Sequence, residues 1–183
     1  ALGLYAAGTL LAGTPEMRRL RDEGRGILTD ESQRQFYADG AYIQLSHNYH
    51  RVALQGMLWA LLFARSGGDG VPAPWRKAIE RSVDFLVAHQ SPEDGRLPNY
   101  GSNDGALPGV FSTCDFSDFR PTLQAASLAT RGERLYEPGP WDEEAAWLLG
   151  SKALEAKLAP PARRSVSFAK TGFHVLRSGS DEA

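Results

Sequence analysis

Residues 48–65, NYHRVALQGMLWALLFAR, decide the fold class of this chain. Val52, Leu54, Met57, Leu58, Leu61, Leu62 and Phe63 recur at helical spacing and give an apolar face wide enough to be buried on most sides. Gly67-Gly68-Asp69-Gly70 ends the run, and a second helix is predicted from Pro74 to about His89 with Trp75, Ile79, Val83, Phe85, Leu86 and Val87 as its stripe. Upstream, residues 1–12 carry Leu2, Leu4, Tyr5, Leu10 and Leu11 and are expected as a mostly buried helical stretch. Thr14 and Pro15 supply a cap and a first helical position for an amphipathic segment reaching about Phe36, in which Gly24 and Gly26 weaken the helix. Tyr37-Ala38-Asp39-Gly40 is a turn, and Ala41–Ser46 is extended or loop-like.

Downstream the pattern changes. Residues 91–117, SPEDGRLPNYGSNDGALPGVFSTCDFS, form a long Gly-, Pro-, Asn- and Asp-rich segment. Loops of that length inside a domain are usually functional or disordered, and its aromatics suggest an ordered loop at a cleft mouth. Helices are expected around Pro121–Ala129 and Asp142–Leu158. The chain then alternates in period two across Ser165–Phe168 and Phe173–Arg177, with Lys170-Thr171-Gly172 as the turn between. Helical hairpins in series followed by strands predict an α-solenoid or α/α toroid, with a second unit beginning near residue 165. No strict repeat is visible, which counts against regular helical-repeat arrays.

Composition narrows the function classes. With 42% hydrophobic and 23% charged residues in 183, the chain is neither disordered nor a coiled coil. Twenty basic against twenty-two acidic side chains leave a net charge of −2 and no overall field for nucleic acid or an anionic membrane. The only cysteine, Cys114, cannot form an intramolecular disulfide, so the redox compartment stays open. The opening run ALGLYAAGTLLAG is too short to span a bilayer and lacks a basic flank, so it is neither membrane helix nor signal peptide. It is expected to be the back of a helix whose front lies before Ala1.

The densest polar cluster is Gln44-Leu45-Ser46-His47-Asn48-Tyr49-His50-Arg51, at a loop-to-helix junction where free N–H groups favour anions. Its plain structural reading is helix capping by Ser46 or Asn48, with the rings filling gaps between helices. A zinc site on His47 and His50 lacks further ligands, so no metal is expected. A serine nucleophile lacks its GxSxG turn. Asp39, Glu93, Asp94 and Asp104 are loop carboxylates that a glycosidase pair would need, and loop acids are mostly solvated turn formers. Trp59, Trp75 and Trp147 are expected in the core. Tyr100, Phe111, Phe116 and Phe119 could stack on sugar rings, or Phe116 and Phe119 could pin the loop down.

Four blocks in order, FYADGAYIQLSHNYHRVALQGMLWALLFAR, GRLPNYGSNDGALP, DFRPTLQAAS and FAKTGFHVLRSG, resemble the heparinase II/III family of polysaccharide lyases and lyase-like proteins. The resemblance covers nearly the whole chain. It implies a mainly α fold: a partial α/α toroid of helical hairpins over residues 1–162, its front missing, and the first hairpin of a C-terminal antiparallel β-sandwich over 163–183. It also implies β-elimination on a uronic acid-containing polysaccharide, with an Asn or His neutralising the carboxylate and a Tyr–His acid/base pair. Tyr49 matches the family's catalytic tyrosine, and Tyr100 is the second choice. An unperturbed phenol near pKa ~10 suits the acid role, and acting as base needs positive charge beside it, from His47, His50 or Arg51.

His47, Asn48, His50, Arg51, Tyr100, Asn103 and Asp104 are the implied substrate-binding residues, and Asn48 is a less favoured substitute neutraliser. The family's Asn-His pair would fall before Ala1 and its sandwich histidines after Ala183, with His174 no clear match, so these 183 residues alone are expected to be inactive. The implied partner is an acidic polysaccharide or oligosaccharide, with no cofactor, nucleic acid or membrane. The alternatives are a non-catalytic acidic-glycan-binding protein and an α/α-toroid glycoside hydrolase. Localisation and oligomeric state stay open.

Overall fold

The computed structural model describes residues 1–178; the expected last five residues of the C-terminal unit, 179–183, lie outside the described residues. The chain is mainly α. In order it forms α1 (Leu2–Leu10), α2 (Pro15–Arg34), α3 (His47–Ser66), α4 (Ala73–His89), α5 (Arg120–Arg131) and α6 (Asp142–Leu149). A short 3-10 turn, Ser151–Glu155, follows, and then strands β1 (Val166–Phe168) and β2 (Phe173–Val175).

Local chemistry explains three of the helix boundaries. Thr14 starts α2 by accepting the Met17 N–H on its side chain at 3.3 Å, with Pro15 in the first turn. Ser46 does the same for α3, accepting the Tyr49 N–H at 3.1 Å. Gly132, at φ 69°, closes α5 in the left-handed conformation that a glycine adopts without strain.

α1 and α2 form a hairpin whose backbones touch at two glycines. A Cβ on Gly8 would sit 2.4 Å from the Arg21 nitrogen, and one on Gly24 would sit 2.5 Å from the Tyr5 nitrogen. Gly24 therefore does not weaken α2, which runs unbroken; it is where α1 lies down. α3 packs on α1, α4 and α5, while α4 also meets α2. Tyr5, Leu54, Leu58, Leu61, Trp75, Ile79, Phe85, Leu86 and Leu123 form the centre of the core.

Three expectations change. Only Tyr5 and Gly8 of α1 are buried, and Leu10 and the following Leu11 are exposed. The helix expected over 142–158 stops at Leu149, where Gly150 turns the backbone to φ 83°. Trp147 is 72% exposed rather than core. Trp75 is fully buried, as its stripe implied.

The hairpin pairs Val166 with Val175, Ser167 with His174 and Phe168 with Phe173. Because they are directly opposite each other, Phe168 and Phe173 share one face, against Phe85 and His89 of α4, with ring centroids 4.7–5.4 Å apart. Asp39 Oδ2 fastens the turn by accepting the Lys170 N–H, the Thr171 N–H and the Thr171 hydroxyl at 2.9–3.1 Å.

Candidate functional site

The segment from residue 90 to 119 contains neither helix nor strand, and its first half is fastened onto the N-terminus of α3. The His47 N–H donates to the Tyr100 carbonyl at 3.1 Å, and the Ser46 hydroxyl donates to the Ser102 carbonyl at 2.5 Å. His47 Nδ1 meets the Pro98 carbonyl at 2.7 Å, so this nitrogen carries the proton. Gly101 permits the approach: at φ +74, a Cβ there would lie 2.5 Å from the Leu45 carbonyl oxygen. Leu45 itself takes φ 51°, a left-handed conformation costly for a non-glycine residue, immediately before the helix cap Ser46. The N–H groups of His47 and Tyr49, expected to be free for an anion, are thus already paired.

What this docking builds is a phenol–carboxylate pair. Tyr49 Oη donates to Asp104 Oδ2 at 2.6 Å, while Asp104 Oδ1 accepts the Ala106 N–H at 3.1 Å. The hydrogen bond to Asp104 is the main cause raising the Tyr49 pKa, with burial and the carboxylate's charge adding to it. The same bond lowers the Asp104 pKa. Both shifts keep the proton on the phenol. Asn103 donates to Asn99 Oδ1 at 3.0 Å on the same exposed loop, and Tyr100 is half exposed beside the His47 ring.

The rest of the polar cluster turns inward. His50, 1% exposed, lies among Phe36, Tyr42 and Phe85 with centroids 5.5–6.0 Å away. Burial, with His47 and His89 nearby, pushes its pKa down to about 3. Burial likewise lowers His47, partly offset by the Pro98 carbonyl, and takes His89 to about 4. All three are therefore neutral at neutral pH.

Arg51 is held elsewhere. Nη1 donates to the Phe116 carbonyl at 2.5 Å and Nη2 to Asn48 Oδ1 at 3.1 Å. Its guanidinium lies 4.5 and 4.2 Å from the Phe116 and Phe119 ring centroids. Burial lowers it to about 10. The positive charge that the sequence suggested for the phenol is not there: Asp104 and burial shift Tyr49, and no cation contributes. Asn48 is buried, and its amide nitrogen has no partner among the described residues.

A second polar group escaped the sequence reading. The Gln55 side chain pairs with Gly109 in both directions, Nε2 to the carbonyl at 3.1 Å and the N–H to Oε1 at 3.3 Å, as a strand would. Nε2 also donates to Glu144 Oε1 at 3.2 Å, and the Thr122 hydroxyl donates to Oε2 at 3.1 Å. Glu144 is 2% exposed, and burial raises its pKa to about 7 against the pull of Gln55, Thr122 and Arg51. Gln55 inside an apolar run was the one available signal. Arg51, Cys114 and Glu144 line a cavity of about 280 Å³ there.

Of the loop carboxylates, Asp39 is committed to the hairpin turn, and Asp94 caps its own loop by accepting the Arg96 N–H at 3.1 Å. Among the described residues no group of three or more His, Cys, Asp or Glu could hold a metal ion, and no helix is long and apolar enough to cross a membrane.

A family model described as "Heparinase II/III N-terminus" matches residues 1–112, which include α1 to α4, Tyr49 and Asp104. No curated protein and no solved structure matches the chain.

Proposed function

Because this chain belongs to the heparinase II/III N-terminus family, we propose that it supplies the helical part of a polysaccharide lyase acting on a uronic acid-containing polysaccharide, with Tyr49 as the acid/base phenol. The observation that carries this reading is the Tyr49–Asp104 pair at 2.6 Å on an exposed loop-to-helix junction within the matched residues.

β-Elimination makes three demands. The proton alpha to the uronate carboxylate must be removed, its electron pair must form the carbon–carbon double bond, and the departing glycosidic oxygen must receive a proton as its bond breaks. The α-proton goes to the histidine base that the family resemblance implies as the phenol's partner, and Tyr49 suits the last task. Its O–H is exposed and its pKa is raised, so it is fully protonated at neutral pH and donates as soon as an oxygen with developing negative charge displaces the Asp104 carboxylate. Neutralisation of the uronate carboxylate calls for a hydrogen-bond donor beside it, and Asn103 offers an amide on the same loop. Tyr100 offers a half-exposed aromatic face for a sugar ring.

One observation favours a second reading, binding of an acidic glycan without cleavage: no cation contributes to the phenol, so nothing promotes the phenolate form. The paired-carboxylate glycosidase is disfavoured by the three hydrogen bonds that occupy Asp39. Product analysis on a panel of uronate polymers, carried out with the full-length lyase to which this helical part is assigned, separates the three. The lyase reading expects ultraviolet-absorbing unsaturated ends; reducing ends without unsaturation, or binding with no product at all, would overturn it.

A further inference from the structure

A groove of about 450 Å³ lies between the end of α2 and the start of α4, away from the Tyr49–Asp104 pair. Among the described residues its only charged lining residues are Lys77 and Arg81, one helical turn apart on α4. Both are exposed, and neither side chain has an ion-pair or hydrogen-bond partner among the described residues. Opposite them stand Gln33 on α2 and the aromatic residues Phe36 and Tyr37. Gln33 spends its Nε2 on the Thr29 carbonyl, which leaves its Oε1 as a free acceptor. Tyr37 is 37% exposed.

The groove is also preformed. Gly40, at φ +93, brings the 37–40 turn so close to α4 that a Cβ would lie 2.2 Å from the Arg81 carbonyl oxygen. Phe36, on the groove's floor, packs on its other side against Tyr42 and His50, so an aromatic layer separates the groove from the α3 N-terminus.

We propose that this groove is a second glycan site, taking an anionic sugar unit of the polymer outside the reacting segment. Two cations with no internal counter-charge meet a sulfate or carboxylate on the ring; Tyr37 takes the ring face, and Gln33 accepts from a hydroxyl. The inference rests on the acidic-polysaccharide reading above and adds a place where long chains gain over short ones. Exposed ion pairs are individually weak, so loss of both cations is expected to weaken polymer binding about 3- to 30-fold.

The test is retention of the intact chain on immobilised heparin, alginate and neutral dextran, eluted with NaCl, for wild type and the K77A/R81A double variant. A tetrasaccharide competitor supplies the short-chain comparison. The proposal expects earlier elution of the double variant from heparin, alginate or both, with unchanged tetrasaccharide affinity and no retention on dextran. Loss on heparin alone assigns the groove to ring sulfates, and loss on alginate alone assigns it to carboxylates. Unchanged polymer elution, or equal weakening toward the tetrasaccharide, overturns the second site and leaves the proposed function standing. A folded wild-type chain that retains neither acidic polymer overturns both.

Discussion

Two glycines two residues apart in α2 should respond to alanine with opposite sign. Gly24 is buried against α1: an added Cβ would lie 2.5 Å from the Tyr5 nitrogen and 3.0 Å from both the Tyr5 Cα and the Ala1 carbonyl oxygen. These are backbone atoms, so no side chain can swing away, and α1 must retreat by about 1 Å to restore ordinary contact. Such overpacking costs about 1–3 kcal/mol, and the better helix propensity of alanine returns about 0.8–1 kcal/mol. Packing wins, so Gly24→Ala should destabilise by about 1 kcal/mol. Gly26 has nothing within 4 Å and points to solvent. There only propensity acts, and Gly26→Ala should stabilise by about 0.5–1 kcal/mol. For a chain of this size, a separation of about 2 kcal/mol places the two unfolding midpoints about 4–8 °C apart, with wild type between them. Thermal unfolding followed by circular dichroism reads this directly. A Gly24→Ala variant as stable as wild type, or both variants shifting in the same direction, would refute the close α1–α2 contact.

Three further outcomes follow from the buried and paired groups. Asp104→Asn removes the carboxylate that holds the Tyr49 proton, so the phenol should ionise at lower pH; ultraviolet titration with Tyr49→Phe subtracted shows it, and an unmoved titration would dismiss the pair. His50 is held at about 3 in the fold against an ordinary 6.5, so the unfolded chain takes up its proton first as the pH falls. Its share of stability is complete above about 6.5 and is lost toward 3 at about 1.4 kcal/mol per pH unit. His50→Phe should flatten denaturant-measured stability over that window, and an unchanged slope would contradict the neutral buried ring. Glu144 has the opposite sign. Raised from 4.5 to about 7, it favours the fold when protonated, and that contribution is lost as the pH rises from 4.5 through 7. Glu144→Gln, which keeps an acceptor for Gln55 while the Thr122 hydroxyl reverses, should gain on wild type by up to about 3 kcal/mol between pH 5 and pH 8. A gain independent of pH would count against it.

How much of this was legible in the sequence depends on whether the cause was local. α3 and α4 are visible because their apolar spacing and their breakers lie within one stretch, and the hairpin is visible because Ser165–Phe168 and Phe173–Arg177 alternate on either side of Lys170-Thr171-Gly172. Gly24 was misread because propensity sees a flexible residue and cannot see α1 arriving at it. Trp147 was misread because an apolar helical position looks the same whether or not a neighbour covers it. In the site, Tyr49 is proposed on the resemblance. Its partner lies 55 residues away, across a loop held by Ser46, His47 and Gly101, and no spacing rule joins the two. The charge state of the histidines was equally hidden, since burial among Phe36, Tyr42 and Phe85 is a property of the packed core rather than of the NYHR stretch.

Delivery of the proton by Tyr49 in a β-elimination is tested most plainly by the rate at which unsaturated ends appear on a uronate polymer for the full-length lyase and its Tyr49→Phe variant. Removing a general acid costs about 10²–10⁴-fold in rate. A loss in kcat of that order is expected, with polymer binding retained because Lys77 and Arg81 are untouched. A Tyr49→Phe variant that cleaves as fast as wild type would contradict it.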